Sequence, residues 1–253
     1  MKKFLCLFSA LTLLLTSCSS DDSNNSENSV LPKTISYTYS EFPADNELAT
    51  LVYNGNKLVS ASYSATDKEV YTYTGDLITK VEDFAAEGNI SSKNEFTYEN
   101  GKLKVDLLTE IGTVTYISKN VYTYNSDGTI AFVTYSVDPA TKVEKKSSEG
   151  VLTYLNGNLI KKTEIYTGGS YTKTYEYDTK NNPFKNILGY NLLIDFDAVS
   201  INNEIKSTTV YNNGVDITTN VFNSVYEYNE KGYPVKRTQS DSSDNDEITN
   251  YTY

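Results

Sequence analysis

Apolar and polar residues alternate with a period of two, as in Tyr71-Thr72-Tyr73 and Tyr175-Glu176-Tyr177, rather than recurring at the 3.6-residue spacing of a helix. The alternation predicts strands whose tyrosines share one face while Thr, Glu and Lys take the other. The strands come in pairs around short polar turns: "FTYENGKLKV" from Phe96, "YTYTGDLITKV" from Tyr71, "LTYLNGNLIKK" from Leu152. Asn100-Gly101 supplies two residues that tolerate positive φ, as a type I′ turn requires. A two-residue loop there sets Glu99 opposite Lys102 and Tyr98 opposite Leu103 on one face. Tyr154 and Leu159 stand in the same relation around Asn156-Gly157. In "YNSDGTI" the separation from Tyr124 to Ile130 is one residue longer, and Ser126-Asp127-Gly128 has the composition of a three-residue loop with glycine in the left-handed position.

The second tyrosine of the phrase returns at Tyr53, Tyr73, Tyr98, Tyr124, Tyr154, Tyr177, Tyr228 and Tyr253. Most of these spacings accommodate two strands and two turns, so the fold class is all-β: an antiparallel up-and-down meander of repeated hairpins. So long a meander must twist and protect its edges, which favours a curled or closed barrel, with an open spiral sheet as the alternative. Asn250–Tyr253 could close the sheet against Ile35–Tyr39. The rhythm breaks once, between Tyr177 and Tyr228, where residues 181–205 are more apolar and lack a Tyr-x-Tyr phrase. This insertion reads as a plug burying Phe184, Ile187, Leu188, Leu192, Leu193 and Phe196, or alternatively as a lid or pocket wall.

The chain opens "MKKFLCLFSALTLLLTSC", with Lys2 and Lys3 ahead of an apolar run too short to span a bilayer, the layout of a secretory signal. Leu15-Thr16-Ser17-Cys18 resembles the bacterial lipobox, which implies cleavage after residue 17 and acylation of Cys18. Cleavage also removes Cys6, leaving no free thiol for a disulfide, a metal site or a nucleophile. The domain organisation is therefore a signal peptide (1–17), a lipidated tether (18–33) and a single β-repeat domain (34–253). "SSDDSNNSENSV", Ser19 to Val30, has the composition of a flexible linker. Its first residues, Ser19, Ser20, Asp21 and Asp22, resemble the acidic export signal that Bacteroidetes surface lipoproteins carry beside their cysteine. That resemblance implies an outer-membrane protein facing the cell exterior.

The motif Tyr-Asp/Asn-x-x-Gly-x-Leu/Ile resembles the YD repeats of Rhs-type proteins at "YEYDTKNNPF", "YTYNSDGTIAFV" and "YEYNEKGYPVKR". The arginine common after the repeat glycine is replaced by Lys102, Thr129, Asn158 or Tyr233. In leader and architecture the chain is more similar to uncharacterised Bacteroidetes lipoproteins with tyrosine-rich repeats and a porin-like β-meander. That resemblance implies a fold and a location, not an activity.

Charge and composition narrow the chemistry. The formal net charge is −11, and it becomes more negative once Lys2 and Lys3 leave, so nucleic acid is excluded as a partner. The expected membrane contact is through acyl chains alone, on a monomer. Histidine is absent, which removes the commonest general base, every His-dependent triad and the usual zinc ligands. The expectation is a non-enzyme with no cofactor and no metal. Asp195 and Asp197, about 7 Å apart on one strand face, would be the pair of a carboxylate-based hydrolase. Asp241, Asp244, Asp246 and Glu247 would be the calcium alternative, without the glycine and ligand order of an EF-hand. What remains is a lipid-anchored envelope protein, either structural or a binding and adhesion module. A glycan or peptide ligand would stack on a row formed by Tyr73, Tyr98, Tyr124, Tyr154, Tyr177 and Tyr228. A structural barrel would turn that row inward, the expected arrangement, because the opposite face has nothing from which to build a core.

Overall fold

Among the described residues, sixteen strands follow one another with no α-helix between them. They are β1 Thr34–Tyr39, β2 Glu47–Asn54, β3 Lys57–Ser62, β4 Lys68–Thr74, β5 Leu77–Phe84, β6 Ile90–Glu99, β7 Lys102–Glu110 and β8 Tyr116–Tyr124, then β9 Ile130–Val137, β10 Glu144–Leu155, β11 Asn158–Tyr166, β12 Gly169–Tyr177, β13 Glu204–Asn212, β14 Ile217–Tyr228, β15 Pro234–Ser240 and β16 Asp246–Thr252. This computed structural model describes residues 29–85, 87–194, 199–241 and 246–253. Each strand pairs antiparallel with its chain neighbours, and β1 also pairs with β16, so the sheet closes on itself. At the seam Ile35 faces Tyr251 and Tyr37 faces Thr249. Closure leaves no free edge, which overturns the open-spiral alternative.

The expected turns are present. Asn100 and Gly101 have φ of 52° and 73°, and Tyr98 faces Leu103 with Glu99 facing Lys102. Tyr124 faces Ile130 across the longer loop with no register shift beyond it. Most of the other hairpins differ: β2–β3, β4–β5, β6–β7, β10–β11 and the longer-looped β14–β15 carry a one-residue bulge shortly after the turn, which drops Val59, Thr79, Lys104, Ile160 and Val235 from the ladder, whereas β11–β12 keeps its register. Such a bulge flips every later side chain to the other face. Past it, Asp83, Asp106, Lys162, Glu164 and Arg237 come to share the inward face with the tyrosines. The expectation that Glu and Lys keep to the outside therefore fails on the strand after each bulged turn, and it also fails at Glu69 on β4, which shares the inward face with Tyr71 and Tyr73.

The barrel consequently has two unlike halves. At the end bearing the tyrosine-flanked turns, the interior is apolar, with Leu58, Ile78, Leu103, Ile130, Leu152 and Leu159 buried. Towards the other end it is polar. There the Asn94 amide donates to Asp106 at 2.8 Å, Thr134 donates to Asn120 at 2.7 Å, and Arg237 pairs with Glu247. The Tyr71 hydroxyl donates to Glu69 at 2.6 Å, and burial raises the Glu69 carboxyl above its usual range.

The segment between β12 and β13 plugs the apolar end, as the plug reading expected. It contains a 3₁₀ turn, Tyr190–Leu192, and buries Ile187, Tyr190 and Leu193, while Phe184, Leu188 and Leu192 stay partly covered. Phe196 lies outside the described residues. The segment ends at Asn203, since Glu204 and Ile205 already belong to β13. Ser29–Lys33, read from composition as the end of the tether, is instead seated on the barrel. Pro32 is fully buried, the Lys33 N–H donates to the Thr252 carbonyl at 2.7 Å, and the Val30 carbonyl accepts from Asn186 of the plug at 3.0 Å.

Candidate functional site

The six tyrosines expected to form a row do so, facing inward around the plugged rim. The hydroxyls of four of them follow one rule. The ladder between β5 and β6 begins at Lys80 opposite Glu95, so Ile78 lies beyond its end, and the Tyr98 hydroxyl donates to the Ile78 carbonyl at 2.7 Å. Tyr177 does the same to Leu159 at 2.8 Å, and Tyr53 and Tyr253 do so to Pro32 and Pro234. Tyr73 accepts from the Leu58 N–H at 3.1 Å, and Tyr124 bonds the Leu103 backbone. The hydroxyls of Tyr53, Tyr73, Tyr98, Tyr124, Tyr177 and Tyr253 each satisfy a backbone group that the ladder leaves open, and those of Tyr73, Tyr98, Tyr124 and Tyr177 tie their hairpins to the one before. Burial pushes the Tyr73 and Tyr177 phenols up to about 12 from 10.0. Tyr228 breaks the rule by donating to Asp178, whose carboxylate also receives the Asn203 amide and so fixes the end of the plug. The row is thus a structural ring over most of its circumference.

Tyr124 and Tyr154 are the members that border open space. A cleft of about 370 Å³ lies between the turns after β6, β8 and β10 and the plug. Tyr124, Ile130 and Tyr154 line it from the barrel, and Phe184, Tyr190, Ile194, Val199 and Ile201 from the plug. The rings of Phe184 and Tyr190 lie 5.6 Å apart. Asn158 holds the far wall: its side-chain oxygen accepts from the Ile201 and Asn202 N–H groups at 3.0 and 3.1 Å, which presses Ile201 onto the turn. Gly157 is required at that contact, because a Cβ there would sit 3.1 Å from Ile201 on a backbone with φ of +80°. The lining also carries polar groups: Asn125, Thr129, Asn191, Ser200 and the ammonium groups of Lys102 and Lys185. Among the described residues the lining includes no Asp, Glu or Cys. Such walls can enclose an apolar body and hold a polar end.

The other candidates fall elsewhere. Cys18, Ser19, Ser20, Asp21 and Asp22 lie outside the described residues, as do Asp195, Asp197 and Asp244. Asp241, Asp246 and Glu247 border a smaller recess near the opposite end of the barrel, where Glu247 is engaged by Arg237 and Thr249. No group of three or more metal-ligating side chains occurs among the described residues. Sequence reasoning missed Lys185 and Ile201 as wall residues, and saw Lys102 only as a departure from the repeat. The signal for the first two was the broken tyrosine rhythm between Tyr177 and Tyr228.

No family model matches the chain, and no curated protein does. Solved structures do. A porin-like protein from Bacteroides vulgatus superposes with a TM-score of 0.61 at 14% identity, over 89% of this chain and 99% of that one. A porin-like protein from Bacteroides uniformis gives 0.51 at 11% identity, over 87% and 96%. At such identities the likeness is one of fold: the chain is an all-β, porin-like barrel of sixteen strands.

Proposed function

We propose that the protein is a non-catalytic, lipid-anchored barrel of the outer membrane that serves as a binding module, with its ligand in the cleft at the plugged end. The observation that carries the binding assignment is the preformed cleft itself. It has a volume within the usual range of small-molecule sites, about 300–1,000 Å³, and is walled by the one segment that breaks the repeat. Anchoring rests on the leader and Cys18.

The outer face argues that the barrel sits beside the membrane and does not span it. On β5 and β6, Lys80 faces Glu95 and Glu82 faces Lys93 across the strands, while Lys80 pairs with Glu82 and Lys93 with Glu95, both at 2.8 Å. A lysine facing lipid at mid-bilayer costs about 2–4 kcal/mol, and spanning barrels present an apolar band there instead. The likeness to porin-like proteins is thus a likeness of shape, and the acyl chains supply the membrane contact.

Two measurements on protein extracted from its own envelope test this reading. Labelled palmitate should enter the native chain and not Cys18→Ser. Native mass spectrometry should show a small molecule retained by the native chain and lost from Ile194→Trp, whose indole fills the cleft. Equal labelling removes the anchor. A native chain that carries nothing leaves the barrel as a purely structural component, the reading favoured by the ring of tyrosine hydroxyls bonded to backbone.

A further inference from the structure

We infer that the ligand of the cleft is an anionic amphiphile, a single acyl chain ending in a carboxylate, which enters from the membrane side. The inference rests on the cleft being the binding site and on Cys18 being the anchor, and it adds the ligand's chemistry and its route.

Charge gives the head group. The chain is acidic overall, yet among the described residues the two charged ones of the cleft lining are both lysines. The Lys102 ammonium lies 4.8 Å from the centre of the Tyr124 ring, and Lys185 donates to the Asn181 side-chain oxygen at 2.9 Å. Among the described residues neither makes an ion pair. Two ammonium groups held in one lining by neutral partners keep donors free for a carboxylate.

The walls give the body. Among the described residues, Phe184, Tyr190, Ile194, Val199 and Ile201 give the space a mainly apolar wall, with Thr129, Asn191 and Ser200 as its small polar members. An unbranched chain, which demands only dryness, suits such walls better than a ligand needing several convergent hydrogen bonds.

Geometry gives the route. Val30 is bonded to Asn186 of the plug, and Ser29, Val30 and Leu31 border a separate recess with Tyr53, Asn229 and Tyr253, so the chain leading back to Cys18 departs from the same plugged end as the cleft. About ten residues separate Cys18 from Ser29, which limits their reach to under about 40 Å. An anchored barrel therefore holds its plugged end towards the bilayer, the reservoir of acyl chains.

Titration calorimetry on the full mature chain carrying Cys18→Ser, with monomeric dodecanoate, dodecanol and naphthalenesulfonate as probes, decides the matter. Dodecanoate should bind with one-to-one stoichiometry, and Lys102→Gln with Lys185→Gln should weaken it about tenfold, the loss of roughly one charge-assisted contact. Dodecanol should bind both chains as weakly as dodecanoate binds the double variant. Ile194→Trp should abolish binding while leaving the melting curve in place. Equal binding of dodecanol and dodecanoate, or no effect of the lysine changes, overturns the anionic head group. Preference for naphthalenesulfonate overturns the acyl body. Indifference to all three probes in a protein that retains another molecule from the envelope overturns this inference and leaves the binding module standing.

Discussion

The Tyr98 hydroxyl donates to the Ile78 carbonyl across 2.7 Å, from one hairpin to the hairpin before it. This contact separates two roles of the ring. Tyr98→Phe keeps the packing against the core and removes one hydrogen bond, which should cost about 1 kcal/mol. Tyr98→Ala also leaves a cavity and should cost about 3 kcal/mol, the low end for aromatic truncation because the ring is only half-buried. Urea unfolding of the three proteins checks both values; a phenylalanine variant as stable as the native chain would show that the hydroxyl ties nothing together.

Gly101 isolates the turn chemistry from packing. A side chain there meets no atom within 4 Å, so Gly101→Val should act through its φ of +73° alone, at a cost of roughly 1–2 kcal/mol. Thr97→Val, at a neighbouring strand position, should change stability by much less. Equal melting temperatures for the two variants would contradict the left-handed turn.

How far the sequence discloses this structure depends on what each step requires. The hairpins were legible because Asn100-Gly101 and Asn156-Gly157 signal their turn locally. Closure was legible because "NYTY" matches the strand at Ile35. The bulge at Lys104 was not, since nothing in "NGKLKV" marks a residue as skipped by a partner strand. That omission hid the polar half of the interior: without the bulge, Lys162 and Arg237 fall on the solvent face. The cleft was half legible. The broken rhythm pointed to residues 181–205, but pairing Tyr124 and Tyr154 with Ile201 needs the plug's path across the rim, which Asn158 and Asn186 set through side-chain bonds between residues far apart in the chain.

The tyrosine ring also sets an alkaline limit. Tyr73 and Tyr177 ionise near 12 when folded and near 10 when unfolded, because burial disfavours the phenolate. Their contribution is complete below about pH 10 and is lost as pH rises towards 12, where the unfolded chain has already released its protons. Urea midpoints followed from about pH 9 to about pH 12 should therefore fall steeply above 10, and tyrosinate absorbance should appear together with unfolding. A gradual rise in absorbance on a folded chain would mean that the rim tyrosines are open to water.

The central claim is that the barrel is anchored by Cys18 with its ligand end towards the membrane, and thiol labelling of whole cells tests it most directly. Asn191 lies at the cleft, and Val215 is 89% exposed in the loop between β13 and β14 at the opposite end. With Cys6 removed and Cys18 acylated, Asn191→Cys and Val215→Cys would each carry one reactive thiol. A membrane-impermeant maleimide should label Val215→Cys several-fold faster than Asn191→Cys on intact cells, and both at similar rates in soluble chains that also carry Cys18→Ser. Equal rates on cells would contradict the orientation, and an unlabelled Val215→Cys on intact cells would contradict display at the cell surface.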